Sequence, residues 1–331
     1  EKNSSNPATE NIKPMAKKKI PSIIKEVKSN TPPDVDYSYQ KQISFSQFSM
    51  YEQCPHKWAL QYRDGHRKTE VSIHMTFGTA IHESLQLYLT TMYEESKAAA
   101  ERIDLVEHFE DTLRKQYRID YEKNNKVHFS DSIQLREFFE DGVAIINWFK
   151  KKNGVYFSKR NWWIVGCEVP LQLTPNPMFR SVIYRGFLDV VLYNEATNTI
   201  KIIDIKTSTR GWKDKEKSDE VKNMQLILYK KFFAEQYNFP VDNINIEYFI
   251  VKRKIYEDGE YPEKRIQTHI PTSGKVKINK ATKALNEFIE RAFTKDGSYN
   301  MGPQLKNPSK WNCQFCPFND NKELCDKNIR E

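Results

Sequence analysis

Apolar residues recur at helical spacing through the first half of the chain and at strand spacing in much of the second. Helical order is expected from Ile43 onward. Ser44 or Ser46 can cap a helix whose buried side is Phe48, Tyr51, Trp58 and Tyr62. Pro55 interrupts that run by starting a second helical segment, where its missing N–H costs nothing, and leaves Cys54 at the break. Phe77-Gly78-Thr79-Ala80-Ile81-His82-Glu83 reads as the opening of the next helix, with Ile81, Leu85, Tyr88 and Met92 as its apolar side and His82 beside it. Residues 98–153 read as helical through Leu135, Phe138, Phe139, Ile145, Ile146 and Phe149, an insert that covers a sheet and can gate a substrate channel.

Strand periodicity follows. In residues 162–173, Val165, Cys167, Val169, Leu171 and Leu173 share one face, with Glu168 on the other and Cys167 as a small buried hydrophobe. Residues 182–208 predict two strands joined by an Asn/Glu/Ala/Thr/Asn turn, a hairpin. Gly186 in the first of them allows another backbone or a helix to approach closely. Residues 213–218 are a charged loop, and 219–237 a helix striped by Val221, Met224, Leu228 and Phe232. Another strand spans 244–251 and runs into the basic cluster Lys252-Arg253-Lys254. A last amphipathic helix over 276–293 carries Ile278, Ala281, Leu285, Phe288 and Ala292, and no internal repeat is visible.

Composition adds bounds. A chain of 331 residues accommodates one large or two medium domains. Its 38% hydrophobic and 13% aromatic content supplies a sizeable core. Residues 1–42 are rich in Asn, Ser, Pro and Lys, which predicts a disordered basic tail. They hold eight Lys against five acids, so about +5 of the formal +8 belongs to the body, a mild excess that suits a nucleic-acid partner without requiring one. No apolar run approaches the roughly 20 residues that span a bilayer, and the first residues lack a signal-peptide apolar region. The expectation is a soluble, cytoplasmic protein with no membrane partner. In a reducing compartment five cysteines argue for metal ligation over a disulfide framework. Cys313-x2-Cys316 with Cys325 eight residues further supplies three ligands, and Cys54 is the natural fourth.

The candidate chemistry lies in the hairpin. Asp204 and Lys206 point the same way, and Asp189, fifteen positions before Asp204, meets them across the turn. Two carboxylates and an ammonium suit a hard divalent cation and a hydrolytic water. An Asp-x-Lys string also arises from a half-buried ion pair. Gln225 and Tyr229, four apart, share a helix face.

The ordered set His82, Glu168, Gly186-x-x-Asp189, Asp204-Ile205-Lys206 and Gln225-x-x-x-Tyr229 extends the pattern, with Cys54 before it and three cysteines after. Over residues 43 to 327 it resembles the PD-(D/E)xK nuclease superfamily. More narrowly it resembles the RecB-like branch with an iron–sulfur cluster, which includes CRISPR adaptation nucleases and AddB-type nuclease domains. One departure is Leu188, not Pro, before Asp189.

That resemblance implies an α/β fold, a central mixed sheet flanked by helices, in a single nuclease domain over 43–331. Its parts would be a mainly helical region at 43–153, a catalytic sheet core at 160–255, and a C-terminal helix with the cysteine cluster at 274–331. It implies Mg²⁺ or Mn²⁺ held by Asp189, Asp204, the Ile205 carbonyl and His82, with Glu168 acting through water. Lys206 would position or activate water, and Gln225 and Tyr229 would hold the DNA strand or support the lysine. Cys54, Cys313, Cys316 and Cys325 would hold a [4Fe–4S] cluster, although four thiolates suit Zn²⁺ equally. The activity implied is hydrolysis of DNA phosphodiesters, as an exonuclease on single strands or ends in recombination, repair or replication, with a helicase or recombination protein as a partner. Trp162, Trp163 and Trp212 could stack on bases or simply fill the core. The rival readings are a catalytically silent DNA-binding module of the same fold and an enzyme acting on RNA.

Overall fold

A computed structural model describes residues 19–68, 71–256 and 263–326. Six strands among them form one mixed sheet: β1 (Lys41–Ile43), β2 (Trp162–Leu173), β3 (Val182–Asn194), β4 (Thr199–Ser208), β5 (Ile244–Lys252) and β6 (Ile266–His269). The helices in the first half are α1 (Ser22–Ser29), α2 (Phe45–Gln53), α3 (Pro55–Trp58), α4 (Ile73–Glu94), α5 (Lys97–Arg102), α6 (Leu105–Lys123) and α7 (Ser132–Lys152). Those in the second are α8 (Asp214–Lys217), α9 (Glu220–Gln236), α10 (Lys275–Ala292) and α11 (Lys310–Gln314).

β3 organises the sheet. It pairs antiparallel with β2 and β4 and parallel with the short β1. β4 pairs parallel with β5, a connection that requires a crossover, and α9 provides it. β6 closes the far edge antiparallel to β5. Helices cover both faces. On one side Leu226, Phe232 and Phe233 of α9 and Leu285 and Phe288 of α10 pack on Tyr184, Leu188, Ile200 and Ile202. On the other, Phe77, Ile81 and Leu85 of α4, Phe109 of α6 and Phe138 and Phe149 of α7 join Val190, Leu192, Ile203 and Ile205. Each such side chain contributes roughly 1.5–3 kcal/mol by leaving water, so the two cores hold the sheet rigidly between them.

Local sequence sets the helix starts. The side chains of Ser44, Ser72, Asp104, Asp131 and Asp219 each accept a backbone N–H of the following turn. Ser72 moves the start of α4 to Ile73, upstream of the expected opening at Phe77. Gly78 therefore lies inside the helix, where it faces Thr207 of β4. The expected tail also needs correction. Residues 1–18 lie outside the described residues, but 22–29 fold as α1, because Ile23, Ile24 and Val27 fall on one helical side and bury against the α9-side core. The basic cluster after β5 is internally neutralised. Arg253 pairs with Asp141 at 2.6 Å and Glu137 at 3.0 Å, Lys254 with both acids at 2.9 Å, and Lys252 with Glu263. It anchors α7 to the sheet edge and offers little free charge.

The two ends of the domain are stitched together. Trp58, fully buried, meets Phe288, Phe293 and Tyr299 edge-on. The N–H of His56 donates to Leu305 O at 3.0 Å, the His56 ring meets Leu324 O at 2.9 Å, and Asn307 and Asn312 donate to Gln53 O. No helix among the described residues is long and apolar enough to cross a membrane.

Candidate active site

The regular alternation of β2 and β3 breaks at one place. Leu188 packs in the α9-side core, but Val190, two residues on, packs in the α4-side core. On β2, Val169 and Leu171 face α9, while Cys167 packs on the α4 side, contrary to the common face expected for them. The cause is Glu168, which adopts a left-handed backbone (φ 51°), together with a register shift between Ile164 and Gly166. Asp189 stands between Leu188 and Val190, in register with Glu168. The left-handed backbone at Glu168 accompanies a carboxylate that reaches α4, where Gln86 bonds it.

The β3–β4 ladder ends at Val190 and Ile203, one step short of Asp189 and Asp204. Past that point the strands part, and Asp189 Oδ2 accepts the Ile205 N–H at 2.7 Å in place of a ladder bond. The same oxygen lies 3.5 Å from His82 Nδ1 of α4. One turn along α4, Gln86 Nε2 donates to Glu168 Oε1 at 2.7 Å and to the Asp189 carbonyl at 3.0 Å. Gln86 escapes a reading for acids and cysteines; its only sequence signal is the i+4 spacing from His82.

Asp204 and Lys206 face the same way, as strand alternation requires, and form an ion pair at 2.7 Å. Asp204 is 2% exposed, and the ammonium at its Oδ2 is its charged neighbour. Behind them, Gln225 donates to the Tyr229 hydroxyl at 3.3 Å on α9. α9 approaches so closely that a Cβ on Gly186 would lie 3.0 Å from Tyr229 Cε1. The structure thus gathers His82, Glu168, Asp189, Asp204 and Lys206 around the end of the hairpin, with Gln225 and Tyr229 on the α9 side.

The electrostatics are those of a site short of positive charge. Burial, and then the charge of Asp204, push the Asp189 carboxyl well above its usual range, against the pull of Lys206 and the Ile205 N–H. Burial raises Asp204 too, opposed by Lys206. Burial alone would lower Lys206, but Asp204 and Asp189 outweigh it and hold the ammonium above its ordinary value. Burial and then Lys206 push His82 down to about 4, so its imidazole is neutral at physiological pH. Two acids reluctant to ionise beside a neutral imidazole and a main-chain carbonyl are a donor set that a hard cation would satisfy. The fit is in chemistry and neighbourhood: among the described residues no three His, Cys, Asp or Glu side chains already converge as a metal-binding group.

The cysteines separate in the same sense. Cys54, Cys313, Cys316 and Cys325 line one small cavity with Lys306, Asn307, Pro308 and Asn312. Burial, and then the neighbouring Cys54 and Cys316, push the Cys325 thiol up. Cys167 lies apart, half-buried against Thr90 of α4 with its Sγ 3.5 Å from Oγ1. The three tryptophans considered for base stacking are all half-buried. Trp162 and Trp163 pack on the two cores, and Trp212 lies against Tyr248 with its backbone tied to Gln267.

A family profile agrees with this architecture. Residues 42–324 match the profile of the PD-(D/E)XK nuclease superfamily. No curated protein matches the chain. Among solved structures it is similar to a crystal structure described as "Putative exonuclease" from Eubacterium rectale, at 11% identity and a TM-score of 0.49, over 90% of this chain and 96% of that one. The sheet with helices on both faces, and the profile match across most of its length, place this chain in the PD-(D/E)XK nuclease superfamily.

Proposed function

We propose that the protein is a Mg²⁺- or Mn²⁺-dependent deoxyribonuclease, acting as an exonuclease on single-stranded DNA or DNA ends in recombination, repair or replication. The observation that carries this reading is the Asp189–Asp204–Lys206 group, with Asp204 buried at its base, at the parting of β3 and β4. Members of this superfamily are generally divalent-metal-dependent. Asp189, Asp204, the Ile205 carbonyl and His82 would hold the ion, with Glu168 acting through water. When bound, the ion neutralises phosphate charge and lowers the pKa of water.

The chain's own groups do the rest. Lys206 is held protonated by its two acids, so it serves as a donor: it orients the attacking water and offers charge to the phosphoryl oxygens as negative charge builds. The water oxygen bonds to phosphorus and gives up one of its protons to solvent, the ester P–O bond breaks, and the leaving oxygen takes a proton back from solvent, so none is consumed overall. Gln86 fixes Glu168 and the Asp189 backbone, and Gln225 and Tyr229 back the site from α9.

At the other end, Cys54, Cys313, Cys316 and Cys325 would hold a [4Fe–4S] cluster as a structural clasp. Their shared cavity, and the closeness that lets Cys54 and Cys316 push the Cys325 thiol up, support this. Visible absorbance with about four iron atoms per chain is expected; stoichiometric zinc without that absorbance overturns the cluster. Cys54→Ser loosens both ends, read as faster hydrogen exchange over 51–60 and 300–325.

The activity test is digestion of end-labelled single-stranded DNA, duplex DNA and RNA with Mg²⁺ or Mn²⁺, beside Asp204→Ala and Lys206→Ala. Cleavage of DNA by wild type and loss in both variants is expected. Equal inertness of all three with retained DNA binding means a silent binding module, and preference for RNA overturns the DNA assignment.

A further inference from the structure

β3 carries two side chains beside the acids that neither core uses. Tyr184 and Leu188 face α9, and Gly186 between them lies against Tyr229. Arg185 and Phe187 therefore face the α4 side, in line with Asp189, which meets His82 there. Same-face neighbours on a strand are about 6.7 Å apart, so the three form a row about 13 Å long that begins at the acid.

Packing does not explain Phe187. It is 44% exposed, while its neighbour Leu188 is fully buried. Arg185 is equally uncommitted. Its guanidinium lies 5.5 Å from the Phe187 ring centroid, its buried Nε donates to nothing, and no carboxylate pairs with it among the described residues. Cations on the adjoining strands behave differently: Lys201 is bound to Glu247, Lys206 to Asp204 and Lys252 to Glu263. An exposed aromatic ring and a guanidinium that has only that ring as a partner among the described residues, in a row ending at a phosphodiester-cleaving centre, match an unpaired nucleic-acid strand. Its bases have open faces to stack and its phosphates accept from arginine. A duplex offers the phosphates without the base faces.

We propose that Arg185 and Phe187 are a strand-binding track, with Phe187 stacking on a base next to the scissile phosphate and Arg185 bonding a phosphate beyond it. This rests on the nuclease reading above and narrows its substrate to unpaired strands or frayed ends.

The test measures binding of a fluorescent single-stranded oligonucleotide by anisotropy in Ca²⁺ over a salt series, and cleavage in Mg²⁺. Phe187→Ala is expected to weaken single-strand binding on the order of tenfold and leave duplex binding within twofold, with Phe187→Trp restoring it. Arg185→Gln is expected to reduce the slope of log affinity against log salt by about 0.7, the signature of one lost phosphate contact on a single strand. A purely structural role would lower thermal stability and leave that slope unchanged. Wild-type affinity and slope in both variants overturn the track whether or not the wild type cleaves, whereas inert wild type with the expected binding losses overturns only the nuclease reading.

Discussion

Replacing Gly186 by alanine should wedge helix α9 away from the sheet. The added Cβ would lie 3.0 Å from Tyr229 Cε1 and 3.4 Å from Tyr229 Oη and Tyr184 Cε1. Tyr184 is fully buried and Tyr229 is 5% exposed, so neither ring has solvent to move into. Overpacking of this kind costs about 1–3 kcal/mol. Alanine recovers roughly 0.5–1 kcal/mol of backbone entropy relative to glycine, so the net loss is about 1–2 kcal/mol. With an m-value near ~3 kcal/mol/M in urea, the unfolding midpoint drops by roughly 0.3–0.7 M. Tyr229→Leu removes the ring that Cβ strikes, so a double-mutant cycle should show about 1 kcal/mol of coupling between the two positions. Nuclease activity should fall with Gly186→Ala alone, because α9 carries Gln225 and Tyr229. A wild-type urea midpoint for Gly186→Ala, or an equal loss whether residue 229 is Tyr or Leu, would refute the close-approach argument.

Gln86→Leu leaves the Glu168 carboxylate without its 2.7 Å donor, and should raise the Mg²⁺ concentration for half-maximal cleavage by about 10–100-fold; an unchanged metal titration counts against that positioning role. His82 has its pKa depressed to about 4 by burial and Lys206, so between pH 6.5 and 4 the unfolded chain binds more protons than the folded one. Its contribution, about 3 kcal/mol, is fully present above pH 6.5 and lost as pH falls toward 4. His82→Gln should flatten urea midpoints over that window, and parallel profiles for variant and wild type contradict it. Arg253→Ala leaves Asp141, which is 13% exposed, with only the more exposed Lys254, and should cost about 1.5–3 kcal/mol by chemical denaturation. Lys254→Ala, at a site more than a third exposed, should cost less than about 1 kcal/mol, and equal losses would show that burial does not decide the difference.

The sheet, its hairpin and helices α9 and α10 were legible because their apolar periods are long and regular. The pairing of Asp204 with Lys206 was legible too, since strand alternation fixes it, but the approach of Asp189 depends on the parting of β3 and β4 beyond Val190 and Ile203. What pattern alone did not disclose depends on single backbone angles or distant partners. One left-handed residue, Glu168, switches the face of Cys167, and no residue type at that position announces it. Helix α1 is short and polar in composition, so its three apolar residues gain meaning only once a core exists for them. The start of α4 at Ser72 was masked by Gly78, whose small size suits both a helix opening and a contact with Thr207. The basic cluster after β5 gives no local sign of its partners, because the acids of Arg253 and Lys254 lie more than 110 positions earlier, beyond the reach of any local reading.

The stitched ends have a consequence for how the protein is made. His56 and Leu324 meet across 268 positions, so the clasp can close only after nearly the whole sheet has left the ribosome. At roughly 5–20 residues per second, His56 precedes Leu324 by about 13–54 seconds of synthesis. Closing so long a loop costs about 5 kcal/mol in chain entropy if nothing has folded beforehand. A sheet already formed between the two ends removes most of that cost. Closure therefore follows the folding of the sheet, and a chain whose sheet has failed to fold cannot complete it cheaply.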